Sequence, residues 1–173
     1  MANLIIRPAI RSDLPQLTEI YNYYVTNTHI TFDVNPCVPE QRVAWFDEHS
    51  DGVRYRLLVA EDPNTGILGY ATTGRFRPKP AYDTTVEVSI ACSHAALGSG
   101  VGSRLYSELF ASLQDQDIHR IVAGIAQPNQ RSNALHAKFG FTPVGTFTRV
   151  GRKFGKYWDV LWLERPLILN SPH

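Results

Sequence analysis

The sequence predicts an α/β domain built on a mixed β-sheet. Strand-forming runs at Val86 to Cys92 and Ile118 to Ile125 flank a helix that carries Val101, Leu105, Leu109 and Leu113 about four residues apart, and a strand, helix and strand in that order call for a parallel crossover. Ahead of this unit, Tyr55 to Ala60 and Ile67 to Thr73 are strand formers joined through Asp62, Pro63, Asn64, Thr65 and Gly66, which spells an antiparallel hairpin. Antiparallel pairing followed by a parallel crossover makes the sheet mixed.

The remaining elements follow along the chain. Leu4, Ile5 and Ile6 form a short first strand that Pro8 ends. A helix comes next: Ser12 is placed to cap it, Asp13 and Pro15 suit its first turn, and Leu14, Leu17, Ile20, Tyr21 and Tyr24 recur along one buried face. Thr26 to Pro39, with a lone Phe32, reads as a loop into a second amphipathic segment carrying Val43, Trp45 and Phe46. After the crossover, Pro128 and Asn129 open a helix from Asn133 to Phe139 that Gly140 stops, and strands around Thr142 to Val150 and Tyr157 to Glu164 close the fold. No repeat, charge block or low-complexity tract divides the chain. Its 173 residues, 43% of them hydrophobic, suffice for one core, so residues 1–173 read as a single domain.

Composition excludes several classes of function. Seventeen Lys and Arg against sixteen Asp and Glu leave a net charge of +1, which draws the protein to neither nucleic acid nor an anionic membrane. The two cysteines, Cys37 and Cys92, build neither a disulfide framework nor a metal site, so no metal is expected. Met1 to Arg7 lacks the pattern of a signal peptide, and no apolar run approaches about 18 residues; the expected location is the cytoplasm.

The most informative segment runs from Leu97 to Ser103. Gly98, Gly100 and Gly102 alternate with Ser99, Val101 and Ser103 between a strand and a helix, an arrangement that turns several backbone amides toward one concavity where the helix dipole favours an anion. The lysine of a nucleoside-triphosphate loop is missing, as is the acidic residue that completes a dinucleotide fingerprint. The glycines alone are compatible with a phosphate site or with a tight turn that binds nothing.

The stretch VSIACSHAALGSGVGSRLY, Val88 to Tyr106, resembles the coenzyme A loop of the GNAT superfamily of N-acetyltransferases, with Gly100 and Gly102 in its glycine positions and Leu97 where Gln or Arg is usual. Further islands resemble the phosphinothricin and methionine sulfoximine acetyltransferase subgroup: IRPAIRSDLPQLTEIYNYYV, the Thr31-Phe32 region, RPKPAYDTTVEVSI, QPNQRSNALHAKFGF and VGRKFGKYWDVLWLERPL. The resemblance covers nearly the whole chain. It implies a V-splayed mixed sheet flanked by helices, acetyl-coenzyme A as co-substrate between the fourth and fifth strands, a small-molecule amine as acceptor, and a homodimer.

The resemblance also implies roles for residues. Glu87 occupies the position of the family's catalytic glutamate; a carboxylate inside an apolar strand is costly and burial raises its pKa toward that of a useful base, although alternation alone would turn it to solvent. His136 stands where many members carry a tyrosine acid, and reads otherwise as a packing residue. Backbone groups of Ile90, Ala91 and Cys92 would hold the pantetheine arm, and the loop Gly98, Ser99, Gly100, Val101, Gly102 and Ser103 the pyrophosphate. Asn129, Ser132 and Asn133 would add contacts to the coenzyme or serve the helix start. Arg75, Arg77 and Lys79 read as a basic rim suited to an acidic amino acid or as a solvated loop; the resemblance matches Arg77 and Lys79 to basic positions and favours the rim, with Phe32 and Tyr82 as aromatic walls or core. The reaction expected is direct acetyl transfer to the free amine of a small amino acid or toxic analogue. The alternatives are another amine (a protein N-terminus, polyamine or aminoglycoside) and a non-catalytic acyl-coenzyme A sensor, against which Glu87 argues.

Overall fold

A computed structural model describes residues 4–49 and 54–167. Seven strands, β1 (Ile5–Pro8), β2 (Leu57–Asp62), β3 (Gly66–Arg75), β4 (Thr85–Cys92), β5 (Arg120–Gln127), β6 (Thr142–Lys153) and β7 (Lys156–Pro166), form one sheet in the order β1-β2-β3-β4-β5-β7-β6. Only β4 and β5 are parallel; the other neighbours are antiparallel. The helices are α1 (Leu14–Asn27), α2 (Val43–His49), α3 (Val101–Ala111) and α4 (Gln130–Lys138).

Each face of the sheet has its own apolar layer. On one, α3 sets Val101, Leu105 and Leu109 against Val86, Val88, Ile121 and Ile125 of the crossover strands. On the other, Leu14, Leu17 and Ile20 of α1 and Phe46 of α2 cover Leu57, Val59, Ile67 and Tyr70. Strand alternation therefore turns Val86 and Val88 toward α3, and Glu87, Ser89 and Ala91 toward α1 and α2.

Three local readings need correction. Ser12 does not cap α1. Asp13 stands at the cap, where its carboxylate accepts from the Ile10 amide at 2.8 Å and from Arg7 at 2.7 and 2.9 Å, and Arg7 also reaches Glu61 at 2.6 Å. The closing strands are longer than their apolar content signals because they meet in a tight turn at Phe154 and Gly155, both at positive φ (51° and 71°), the geometry of a two-residue hairpin loop. Helix α4 likewise begins at Gln130, directly after its cap, rather than at Asn133.

Candidate active site

β4 and β5 pair only through Thr85–Arg120, Val86–Ile121 and Glu87–Val122. Beyond that they part, although β4 stays bonded to β3 as far as Cys92 and β5 to β7 as far as Gln127. The separated edges, Val88 to Cys92 and Ala123 to Ala126, line a cavity of about 730 Å³. Strand edges without a neighbour are a template for an extended ligand. Tyr24 crosses from α1 and donates its hydroxyl to Cys92 O at 2.5 Å, occupying one edge position. Burial pushes the Cys92 thiol up to about 11, so at neutral pH it is a thiol and a poor nucleophile.

The glycines divide by task. Gly98 (φ +82°) and Gly100 (φ +88°) are left-handed, and a β-carbon on either would meet nothing within 4 Å; they turn the chain into α3, whose first-turn amides have no intrahelical acceptor. Gly102 serves packing: a β-carbon there would lie 3.3 Å from Leu135 Cδ2 and 3.5 Å from Ile90 Cδ1. Ser99 closes the loop on itself, donating both its amide (3.2 Å) and its hydroxyl (2.6 Å) to Ala96 O. The Ser103 hydroxyl accepts from Lys138 Nζ at 3.0 Å, which sets a cation against the first turn of α3. The resemblance puts Gln or Arg at the Leu97 position within the loop; Lys138 arrives from another helix and has no signal in the loop sequence. Leu97 itself lines the cavity.

Helix α4 is tied down at its start. Asn129 caps it, its side chain accepting from Ser132 N at 3.2 Å. Asn133 and Gln127 exchange two amide hydrogen bonds at 3.0 and 3.1 Å, so the Asn133 side chain is engaged in joining α4 to β5 rather than facing the cavity. His136 is 2% exposed. Its Nδ1 donates to Ser132 O at 2.8 Å, since a carbonyl can only accept, which leaves Nε2 to accept from the Tyr106 hydroxyl at 2.9 Å. Burial holds the imidazole pKa below its ordinary value, with the bond to Ser132 opposing, so the ring is neutral at pH 7. Both His136 and Tyr106 line the cavity. Tyr106 escaped sequence reasoning because it sits beside Leu105 on the apolar face of α3 and reads as core.

Glu87 is half-buried on the α1/α2 face, with Gly74 and Val122 as its strand neighbours. Burial raises its carboxyl above the ordinary range, and Arg77 partly opposes that. The expected basic rim divides here. Arg75 pairs with Val86 while Gly74 pairs with Glu87, so alternation places Arg75 on the opposite face, where it donates to the Tyr55 hydroxyl at 3.3 Å. That corrects its assignment to the acceptor cleft. Arg77 and Lys79 are exposed in the segment after β3, Arg77 near enough to act on the Glu87 charge, and Tyr82 packs edge-on against Phe76, which packs in turn on Trp162. The Trp162 ring covers Gly124, with a β-carbon there only 3.3 Å from it, and its buried indole N–H has no hydrogen-bond partner among the described residues.

Across the cavity, the loop after α1 carries Phe32 to the wall. The loop is pinned from the β6–β7 hairpin: the Phe32 ring fills the space of the missing Gly151 side chain, Lys153 donates to Thr31 O at 2.8 Å, and His29 stacks on Trp158 at 4.0 Å. Lys153 is buried, which lowers its pKa while Asp33 opposes. The floor below α1 and α2 contributes Tyr21, Arg42, Trp45 and Tyr70; the sequence pattern assigns Tyr21 and Trp45 to apolar helix faces and marks none of the four as a site residue. Among the described residues, no group of three or more His, Cys, Asp and Glu side chains could hold a metal ion, and no helix is long and apolar enough to cross a membrane.

Comparison with known proteins agrees with this geometry. Residues 6–162 match the acetyltransferase (GNAT) domain family. The chain is 52% identical over 167 residues to a phosphinothricin N-acetyltransferase of Streptomyces coelicolor, covering 96% of this chain and 98% of that one. It is 36% identical over 159 residues to an L-methionine sulfoximine/L-methionine sulfone acetyltransferase of Pseudomonas paraeruginosa, covering 92% of each. The crystal structure of a GNAT superfamily phosphinothricin acetyltransferase from Sinorhizobium meliloti in complex with acetyl-coenzyme A superposes with a TM-score of 0.89 at 32% identity, over 94% of this chain and 88% of that one. A parted pair of parallel strands, a left-handed glycine turn into α3 and a match spanning almost the full length lead to one conclusion: the chain belongs to the GNAT acetyltransferase family.

Proposed function

We propose that this acetyltransferase uses acetyl-coenzyme A to acetylate the free α-amine of a small amino acid or a toxic analogue such as phosphinothricin or methionine sulfoximine. The observation that carries the reading is the cavity at the β4–β5 splay, which reaches Leu97, just before the α3 glycine turn, and is lined by Ser89 and Ala91 on the sheet face that carries Glu87. The coenzyme lies along Ile90, Ala91 and Cys92, with its pyrophosphate at Gly98, Gly100 and the amides of Val101, Gly102 and Ser103, and with Lys138 close by. Asn129 and Ser132 meet the pantetheine arm. Phe32 walls the acceptor, and Arg77, Lys79 and Tyr82 form its rim.

Glu87 takes one proton from the acceptor ammonium, directly or through water, and the neutral nitrogen attacks the thioester carbonyl carbon. A C–N bond forms, the C–S bond breaks, and the proton released by nitrogen as the adduct collapses goes to the departing sulfur. No covalent enzyme intermediate is involved, in keeping with a protonated Cys92. His136 acts as a positioning residue, orienting the Tyr106 hydroxyl at the cavity wall. The protein works in the cytoplasm as a homodimer; Val144, Phe147 and Val150, exposed on the outer strand β6, support a self-association surface there.

The test is an acetyl-transfer assay with phosphinothricin, methionine sulfoximine and the common free amino acids, repeated with Glu87→Gln. Acetylation of at least one amino acid, lowered about 100-fold or more in the variant, is expected. Binding of acetyl-coenzyme A without acetylation of any amine would replace this reading with a sensor, and full activity of Glu87→Gln at neutral and low pH would remove the base.

A further inference from the structure

Arg42 stands in an unusual environment for a cation. It is 7% exposed, and its guanidinium carbon lies 3.8 Å from the centroid of Trp45 and 4.4 Å from that of Tyr21. Nη1 donates to Leu17 O at 3.0 Å, and Tyr70 lies close enough for Arg42 to oppose the upward push of burial on the phenol. The ion pairs among the described residues join Arg7 to Asp13 and Glu61, and Arg11 to Asp47; none reaches Arg42. Asp33, a carboxylate on the wall of the same cavity, receives the hydroxyl of Tyr21.

A guanidinium held by aromatic rings keeps its charge, yet its burial without a carboxylate is costly, and here the groups that face it, the Leu17 carbonyl and Tyr70, are neutral. Ring stacking also restricts it to one plane, and a planar donor fork recognises a carboxylate or a related oxyanion in two-point fashion. The residue lines the same cavity as Ser89 and Ala91, on the face of β4 that carries Glu87.

We propose that Arg42 is a specificity-determining residue whose guanidinium receives an acidic group of the acceptor beneath α1 and α2. The proposal rests on the amino-acid acceptor reading above. It places a buried cation on the cavity floor, in addition to the exposed Arg77 and Lys79 at the rim, so the acceptor is selected for its acid as well as its amine. That acid is either the α-carboxylate or an acidic side-chain head, and the two sources are separable by experiment.

The measurement is kcat/KM for phosphinothricin, methionine sulfoximine and the α-carboxamide of methionine sulfoximine, in the full chain and in Arg42→Met and Arg42→Lys. If Arg42 holds the α-carboxylate, the native enzyme disfavours the carboxamide by about 100-fold or more, since a site built for a polar group rejects its absence strongly. Arg42→Met then brings the two acceptors to within about threefold of each other and Arg42→Lys keeps part of the preference, as expected for a charge without the planar fork. If Arg42 holds the side-chain acid, the ratio of phosphinothricin to methionine sulfoximine falls instead. A merely structural arginine would lower all three acceptors together, so unchanged ratios in both variants overturn the proposal. Failure of the native enzyme to acetylate any amino acid overturns the functional reading, and this proposal with it.

Discussion

Tyr106 donates its hydroxyl to His136 Nε2 at 2.9 Å in the interior between α3 and α4, while the opposite ring nitrogen donates to Ser132 O. The two bonds leave the imidazole one tautomer, and burial keeps it neutral. Nitrogen NMR of labelled protein is expected to show the Nδ1–H form at pH 7, with protonation only below 6.5. Because the folded pKa is depressed, the unfolded chain binds the proton more readily, and the stability owed to the neutral ring declines as pH falls below the ordinary histidine value. Tyr106→Phe leaves Nε2 without its donor at a cost of about 1–3 kcal/mol; an unchanged melting midpoint would contradict the bond's role.

The base role proposed for Glu87 predicts the acid side of the activity profile. Its carboxyl is raised by burial, and only the ionised form accepts a proton, so kcat/KM should rise with pH through a value above 4.5. Arg77→Gln removes the charge that opposes this rise, and the acid limb should move to higher pH. A limb that moves lower, or not at all, would separate Arg77 from Glu87.

Lys138 tests the anion site. Lys138→Ala removes the cation held at 3.0 Å from Ser103 Oγ, and the KM for acetyl-coenzyme A should rise about three- to tenfold at low salt, with the difference shrinking as salt screens the charge. A rise confined to the acceptor KM would place Lys138 outside the coenzyme site.

Gly151→Ala challenges the seat of Phe32. The added methyl would overlap the ring at 2.2 Å, far inside contact distance, so the ring and its loop must shift. The expected result is a cost of about 1–3 kcal/mol in stability and a higher acceptor KM, with the coenzyme KM unchanged. Restoration of the acceptor KM by a second change, Phe32→Ala, would not be expected, because Phe32 itself walls the cavity.

Asp13 anchors the start of α1. Arg7 and the Ile10 amide hold its carboxyl below 3.8, outweighing the upward push of burial. A depressed acid contributes stability above its unfolded pKa and loses it as pH falls through the folded value, so the Asp13 contribution should be complete at pH 5 and fade below about 3.8. Asp13→Asn should cost about 2–3 kcal/mol near neutral pH and remove that dependence, as thermal melts across pH will report.

The parts legible in sequence are those whose cause is local. Alternation and glycine placement located the crossover, and the hairpin at Asp62 to Gly66 follows from turn chemistry. Long-range pairing is not local: β7 lies between β5 and β6, so the last two strands form in one order and stand in another. Glu87 is proposed as the base from its position, and its burial depends on α1 and α2 covering that face. Arg75 failed because a rim of cations in sequence ignores strand alternation, which sends neighbours to opposite faces. Tyr106 and Lys138 were missed for a shared reason: each gains its meaning from a partner on another element, and the chain spacing between the partners carries no period; Arg42 stands three residues before Trp45, but Tyr21 and the Leu17 carbonyl reach it from α1.

The early parting of β4 and β5 leaves the sheet unfinished at its centre, with two strand edges that the protein itself does not join. A ligand lying between them stands in for the missing pairing and becomes, while bound, a structural element of the fold. Saturation and folding stability are then one linked equilibrium: at about 100 times its dissociation constant the ligand adds ~2.7 kcal/mol to the folded state. The empty enzyme is accordingly expected to melt at a lower temperature than the enzyme saturated with acetyl-coenzyme A.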